Sequence, residues 1–344
     1  MDLVTVWFLI IGVLWTGYFV LEGFDFGVGM LLPVLGRGRD EHERNQRRRV
    51  LLNTIGPVWD GNEVWLLTAA GAMFAAFPEW YATLFSGFYL PLLLILAALI
   101  IRNVGIDYRH KRDGVRWRAR WDAAIIVGSY VPALLWGVAL TNIVAGVPLD
   151  ADHEYVGGLL TLFNPLALLG GVTFAVAFVA HGALFVALKT TGEIRHDARR
   201  IASKFGLLAL TLASFLLVWL GLRTGTTASW VLSGIVVLAL MAGIFYNARG
   251  REGRGFASMF AAIGLVVAAY FTMLFPDVMP SAPNPQWSLS AADAASTPYT
   301  LQIMTWVAVV FAPVVVLYQS WTYWVFRKRI GTQHIPAATG PVGE

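Results

Sequence analysis

The sequence predicts an all-α integral membrane protein of nine transmembrane helices, with the N-terminus outside and the C-terminus in the cytoplasm. Three observations carry this. First, 57% of the 344 residues are hydrophobic and only 13% are charged, against about 25% charged in a globular chain. Second, the apolar residues form continuous runs long enough to cross about 30 Å of hydrocarbon. A barrel would show short alternating strands instead. Third, the basic residues are sorted between alternate connections. The chain has no cysteine, which excludes disulfides, haem attachment through thioethers and cysteine metal sites. The formal charge of +4 resides in connections between spans and does not point to nucleic acid.

The runs fall at roughly 4–32, 55–77, 80–101, 123–147, 158–188, 205–222, 228–247, 256–278 and 299–326. The first is too long for a signal-peptide core and lacks a basic leader and a small-residue cleavage site, so it reads as a retained helix. The connection after it holds six Arg between Arg37 and Arg49. The connection after the third span holds seven Lys and Arg between Arg102 and Arg120. Later alternate connections hold Lys189 to Lys204, Arg249 to Arg254 and Arg327 to Arg329. Together these account for 24 of the 25 Lys and Arg, with Arg223 alone on the other side. The positive-inside rule places those connections in the cytoplasm. The opposite connections are acidic (Asp150, Asp152, Glu154) or rich in Pro, Ser and Ala (276–298). Residues 1–330 read as a single polytopic membrane domain. The Pro/Gly-rich stretch 331–344 reads as a disordered cytoplasmic tail. The Arg-rich stretch "RNQRRR" suggests contact with anionic lipid, although cytoplasmic sidedness explains it more simply.

Four acids lie inside the spans: Glu22 and Asp25 in the first, Asp60 and Glu63 in the second. An ionised Asp near the bilayer centre costs about 2.5–3.5 kcal/mol on insertion scales. Each pair has i, i+3 spacing and shares a helix face. Tyr18, Glu22, Asp25 and Gly29 make one polar stripe on the first span, and Gly23 and Gly27 form a GxxxG pattern on an adjacent face. At about 1.5 Å per residue, Asp25 and Asp60 both lie roughly 16–18 Å from the first cytoplasmic arginines. The acids of the two spans are therefore expected to meet at one level, reachable from the cytoplasm. Facing intramembrane acids are the usual material of proton relays; structural pairing with Arg102 or helix-end amides is the competing reading. Of six histidines only His181 lies well inside a span. Two-histidine haem ligation is therefore not expected within this chain, a haem with a single axial ligand stays an alternative, and no metal site is expected. Nucleotide, phosphate and nucleophile motifs are absent from the sequence.

A set of motifs then narrows the reading. They are "GFDFGVGM" (23–30), "WDGNEVWLLTAAGAMFAAFP" (59–78), "FSGFYLPLLL" (85–94), "RNVGIDYRHK" (102–111), "NPLALLGGV" (164–172), "MLFPDVMPS" (273–281) and the final span from Thr300. In order, and over nearly the whole chain, they resemble subunit II of cytochrome bd quinol oxidases. The resemblance implies a non-catalytic subunit of the bacterial cytoplasmic (inner) membrane. Its partner, subunit I, carries the b- and d-type haems and oxidises quinol, ubiquinol or menaquinol. Small single-helix accessory subunits and a bound structural quinone are further family features. The resemblance implies proton-path roles for Asp60 and Asp107, and a stabilising charge cluster of Asp25, Arg102 and Asp122. Glu63 and Glu22 complete the expected proton path; Glu63 stands where some relatives have Gln. Two alternatives are a proton-coupled secondary transporter and a purely structural partner. Nine spans do not divide into the paired repeats that a transporter would favour.

Overall fold

A computed structural model describes residues 2–335. The chain is almost wholly helical, and its chemistry explains where each helix starts and stops. α1 (Leu3–Leu35) is capped by Asp2, whose side chain accepts from the Thr5 amide at 2.7 Å. The Arg-rich connection expected after it is itself a helix, α2 (Glu41–Ile55), capped by Asp40, with Glu41 and Glu43 in its first turn. Pro57 ends the run before α3 (Trp59–Ala76).

The expected span 80–101 is displaced and broken. α4 (Pro78–Gly87) begins with proline at its first position, and α5 (Tyr89–Tyr108) follows after Phe88. Pro91 has no N–H to donate into the preceding turn, so the helix restarts there rather than running through. α6 (Val115–Ala145) and α8 (Gly192–Thr224) also begin well before the expected apolar runs. Their Arg- and Ala-rich leads are good helix formers, so these basic residues lie on helix ends rather than in loops. α7 (Pro165–Lys189), α9 (Thr227–Ala248), α10 (Glu252–Leu274) and α12 (Pro298–Val325) match the remaining runs closely, and a short α11 (Ala291–Ala294) precedes the last. Among the described residues, eight helices are long and apolar enough to span a membrane: α1, α5, α6, α7, α8, α9, α10 and α12. α3 misses that standard, and Asp60, Asn62 and Glu63 crowd its first turns.

α1 and α7 form the axis of the bundle. α1 packs against α3, α6, α7 and α10. A Cβ on Gly27 would lie 2.0 Å from the Phe178 carbonyl oxygen, and one on Gly182 would lie 2.5 Å from the Gly27 backbone. The GxxxG face of α1 is thus the face that meets α7. α12 is the opposite case: Leu301 is its one buried residue. At one end, the connections 146–164 and 276–297 fold over each other. Val147 bridges Ser281, a short hairpin pairs Asp277–Met279 with Leu289–Ser290, and His153 Nδ1 lies 2.9 Å from the Trp287 carbonyl. At the other end, α2 is seated by Arg47, which donates to the Leu35 carbonyl and pairs with Glu193 and Asp197 on α8. Of the expected tail, Gly331–Ile335 turn back beside α7, where Thr190 bridges Ile330. Residues 336–344 lie outside the described residues.

Candidate functional site

The polar centre of the bundle is built by α1, α3, α5 and α12. Glu22, Asp25, Arg102 and Asn62 are each fully buried. Arg102 of α5 forms an ion pair with Glu22, and its guanidinium lies 5.1 Å from the centre of the Phe26 ring. Asp25 accepts from Asn62 Nδ2 at 2.7 Å. Asn62 Oδ1 in turn accepts from Gln319 Nε2 at 3.1 Å and from the Tyr323 hydroxyl at 2.7 Å. Trp65 Nε1 donates to Gln319 Oε1 at 2.7 Å. One hydrogen-bonded chain therefore runs from the bundle axis to its most exposed helix. Glu63 is half-buried and accepts from Asn103 Nδ2. Asn103 follows Arg102 on α5, and Glu63 follows Asn62 on α3.

The expected meeting of all four acids is corrected here. Three of them are held by the adjoining side chains Arg102, Asn62 and Asn103, and Asp60 is outside that set. Asp60 is exposed, and the Gly61 amide, at 2.7 Å, is its hydrogen-bond donor. Helix geometry explains the division. Residues two apart lie about 200° round the helix, so the face of α3 that gives Asn62 to Asp25 turns Asp60 outward. Val64 and Leu67, also exposed, continue that outer face. Asp107 is exposed too, in the last turn of α5 rather than beyond its end.

The expected cluster of Asp25, Arg102 and Asp122 is also redrawn. Arg102 pairs with Glu22, not with Asp25. Asp122 belongs to a separate network on α6, where it is paired with Arg109 and with Arg48 Nη1 at 2.7 Å. Arg109 also donates to Asn45 Oδ1 at 3.1 Å, tying α2, α5 and α6 together. A third network was not foreseen: Glu252 gathers Arg195, Arg199 and Arg329 at 2.7–3.5 Å.

Asn103, Gln319 and Tyr323 were also missed. Gln319 and Tyr323 stand four apart inside an apolar run, the same one-face spacing that singled out the acids.

His181 is held as a packed side chain, with Nδ1 buried and without a hydrogen-bond partner. Its ring stacks on Phe256 at 4.7 Å, with Phe24 edge-on at 5.7 Å, and Nε2 is engaged 3.0 Å from the Val20 carbonyl. These are the contacts of a packed core histidine. Among the described residues no cluster of three or more His, Asp or Glu is arranged to hold a metal.

Comparison with known proteins follows the same lines. The family profile described as cytochrome bd terminal oxidase subunit II matches residues 3–326. The chain is 39% identical over 330 residues to the cytochrome bd ubiquinol oxidase subunit 2 of Bacillus subtilis, covering 94% of this chain and 96% of that one. It is 36% identical to the cytochrome bd-I ubiquinol oxidase subunit 2 of Escherichia coli, covering 97% of each. A chain in the structure of the bd oxidase from Geobacillus thermodenitrificans shares the fold, with a TM-score of 0.76 at 17% identity over 95% of this chain and all of that one.

Proposed function

The chain belongs to the cytochrome bd terminal oxidase subunit II family and is a subunit of a bd-type quinol oxidase; from that premise we propose that it supports a haem-bearing subunit I and carries protons from the cytoplasm toward the site of O2 reduction. The haems of b and d type belong to subunit I and supply electron transfer and O2 chemistry there. The complex sits in the bacterial cytoplasmic membrane. This chain crosses it nine times as one domain over residues 1–330, from an outer N-terminus to a cytoplasmic C-terminus. A structural quinone and single-helix accessory subunits are further components of such an assembly.

One observation carries the proton reading: a ladder of polar side chains between two exposed carboxylates. Asp107 stands one turn from Asn103 on α5. Asn103 is hydrogen-bonded to Glu63. Glu63 stands one turn from Asp60 on α3. Side chains one turn apart are neighbours on a helix surface, so Asp107 and Asp60 each stand one turn from the Asn103–Glu63 pair. Asp107 receives the proton at the cytoplasmic end. Asn103 cannot carry it and instead holds Glu63 in place, while Asp60 delivers it. An ionisable side chain on the outer face of a membrane helix is costly against lipid, so the Asp60 face is where subunit I belongs. Glu22, neutralised by Arg102, holds α1 to α5 beside the ladder. Its expected proton-path role is secondary to that one.

The test is Asp60→Asn in the assembled complex. Asp60 is in no buried ion pair, so assembly and haem spectra should be unchanged. Oxygen consumption should fall by about a hundredfold, the low end of what losing a proton-transfer side chain costs. Full activity in that variant, or in Asp107→Asn, would sink the proton route.

A further inference from the structure

At the α2–α6 end of the bundle, a cavity of about 250 Å³ opens between α2, the end of α5 and the start of α6. Arg44, Arg48, Arg109 and Arg118 line it, against Glu41 and Asp122. The lining therefore carries a net charge of +2. The acids do not use all the donors. Arg118 approaches Glu41 at 3.7 Å and Asp113 at 3.6 Å, too far for hydrogen bonds. The first turn of α6 enters the same cavity through Val115 and Arg118. Its N-cap is Gly114, which has no capping side chain. Free amides at a helix N-terminus, beside arginines with spare donors, form a site for a tetrahedral oxyanion. A water takes up about 30 Å³, so the cavity has room for a phosphate group with some of its hydration.

We propose that this cavity binds a phosphate group, supplied by an anionic lipid headgroup of the adjoining leaflet. The aromatic residues next to it in the chain argue for a lipid source. Tyr108 and Trp117, the chain neighbours of Arg109 and Arg118, meet Trp121 tilted and edge-on, at 5.6–5.9 Å between ring centres, and Trp117 Nε1 donates to the Tyr108 carbonyl at 3.0 Å. Such aromatic groups settle at the headgroup level of a bilayer. The site gives the "RNQRRR" stretch a specific task, because Arg44, Asn45 and Arg48 of that stretch line the cavity. The proposal is separate from the proton ladder and uses none of its residues.

The experiment uses the purified complex, washed free of lipid in detergent. Its melting temperature is measured against phosphatidylglycerol, phosphatidylcholine and millimolar inorganic phosphate. Phosphatidylglycerol should raise it by several degrees and phosphatidylcholine should not. In Arg44→Gln/Arg118→Gln the rise should disappear. In each single variant half-saturation should weaken about tenfold, equivalent to about 1.4 kcal/mol. Arg254→Gln, an exposed cation elsewhere, should respond like the unsubstituted complex. A rise with inorganic phosphate alone, lost in the double variant, keeps the site and assigns it to free phosphate. An equal rise in the unsubstituted and double-variant complexes overturns the site, as does an equal effect of phosphatidylcholine. Should the double variant fail to assemble, the single variants decide by the same readout.

Discussion

Arg102 stands at the point where burial and charge conflict most sharply. It is fully enclosed, and Glu22 is its ion-pair partner. A buried pair of this kind is weak evidence of stability in itself, but removing one member strands the other. Arg102→Gln should therefore destabilise the complex by about 3–5 kcal/mol, read as a lower midpoint in detergent unfolding. Adding Glu22→Gln should recover most of the loss, because two neutral amides can hydrogen-bond to each other. A double variant as unstable as the single would show that Arg102 matters through Phe26 or Asp25 instead. The sequence placed the acids in the membrane and Arg102 in the connection just after the third span, whereas Arg102 lies buried inside α5; spacing alone could not pair them. Glu22 and Asp25 are both within reach of a guanidinium by spacing. What separates them is Asn62, whose amide takes Asp25 and leaves Glu22 to the arginine. That choice depends on the rotation of α3, and rotation is invisible in a run of residues that is apolar on every side.

α12 raises the question of what holds an apolar helix whose surface is almost all exposed. Burial cannot do it, since Leu301 is its one buried residue. Hydrogen bonds do it at both ends: Trp7 Nε1 to the Leu301 carbonyl and Thr305, and the Trp65–Gln319–Asn62–Tyr323 group further along. Hydrogen bonds between membrane helices average about 0.6 kcal/mol each. Replacing Gln319 by Leu and Tyr323 by Phe removes three of them while sparing Asn62–Asp25. The second half of α12 should then open more easily by about 2 kcal/mol. Amide exchange should be faster there, with α1 and α7 unchanged. Unaltered exchange in α12 would mean that lipid or a partner, not this group, fixes the helix. At this scale the sequence was legible wherever a helix coincides with its apolar run, as in α9, α10 and α12. It failed where proline restarts a helix inside an apolar run, at Phe88. It failed again where helix formers extend a helix beyond the hydrocarbon, in α2 and the leads of α6 and α8. Hydropathy reports the solvent around a segment, and helix boundaries obey propensity and capping as well.

Over the whole molecule, the number of crossings turns on α3. Its composition argues against a span, and its position supports one. Its 18 residues reach about 27 Å at 1.5 Å each. Its start follows α2, which is tied to the end that holds Glu193 and Asp197. Its far end accepts from Ser296: the Ala76 carbonyl from the amide at 2.8 Å and the Ala75 carbonyl from the hydroxyl at 2.6 Å. Ser296 lies in the connection that leads into α12, on the face where Phe88 meets Tyr155, with ring centres 6.2 Å apart. Within the first turns of α3, Asn62 and Glu63 are hydrogen-bonded to Asp25 and Asn103, so a crossing need not be apolar throughout. Because the chain has no cysteine, single cysteines at exposed positions can report sidedness one at a time. With nine crossings, Glu79→Cys, Ala151→Cys and Gln286→Cys should react with an impermeant maleimide from outside intact cells. Arg39→Cys and Gln333→Cys should react only after the membrane is opened. Glu79 is the deciding position, since it lies between α3 and α5. Were α3 not to cross, Glu79→Cys would share the protected behaviour of Arg39→Cys. The N-terminus would then lie on the side opposite Ala151.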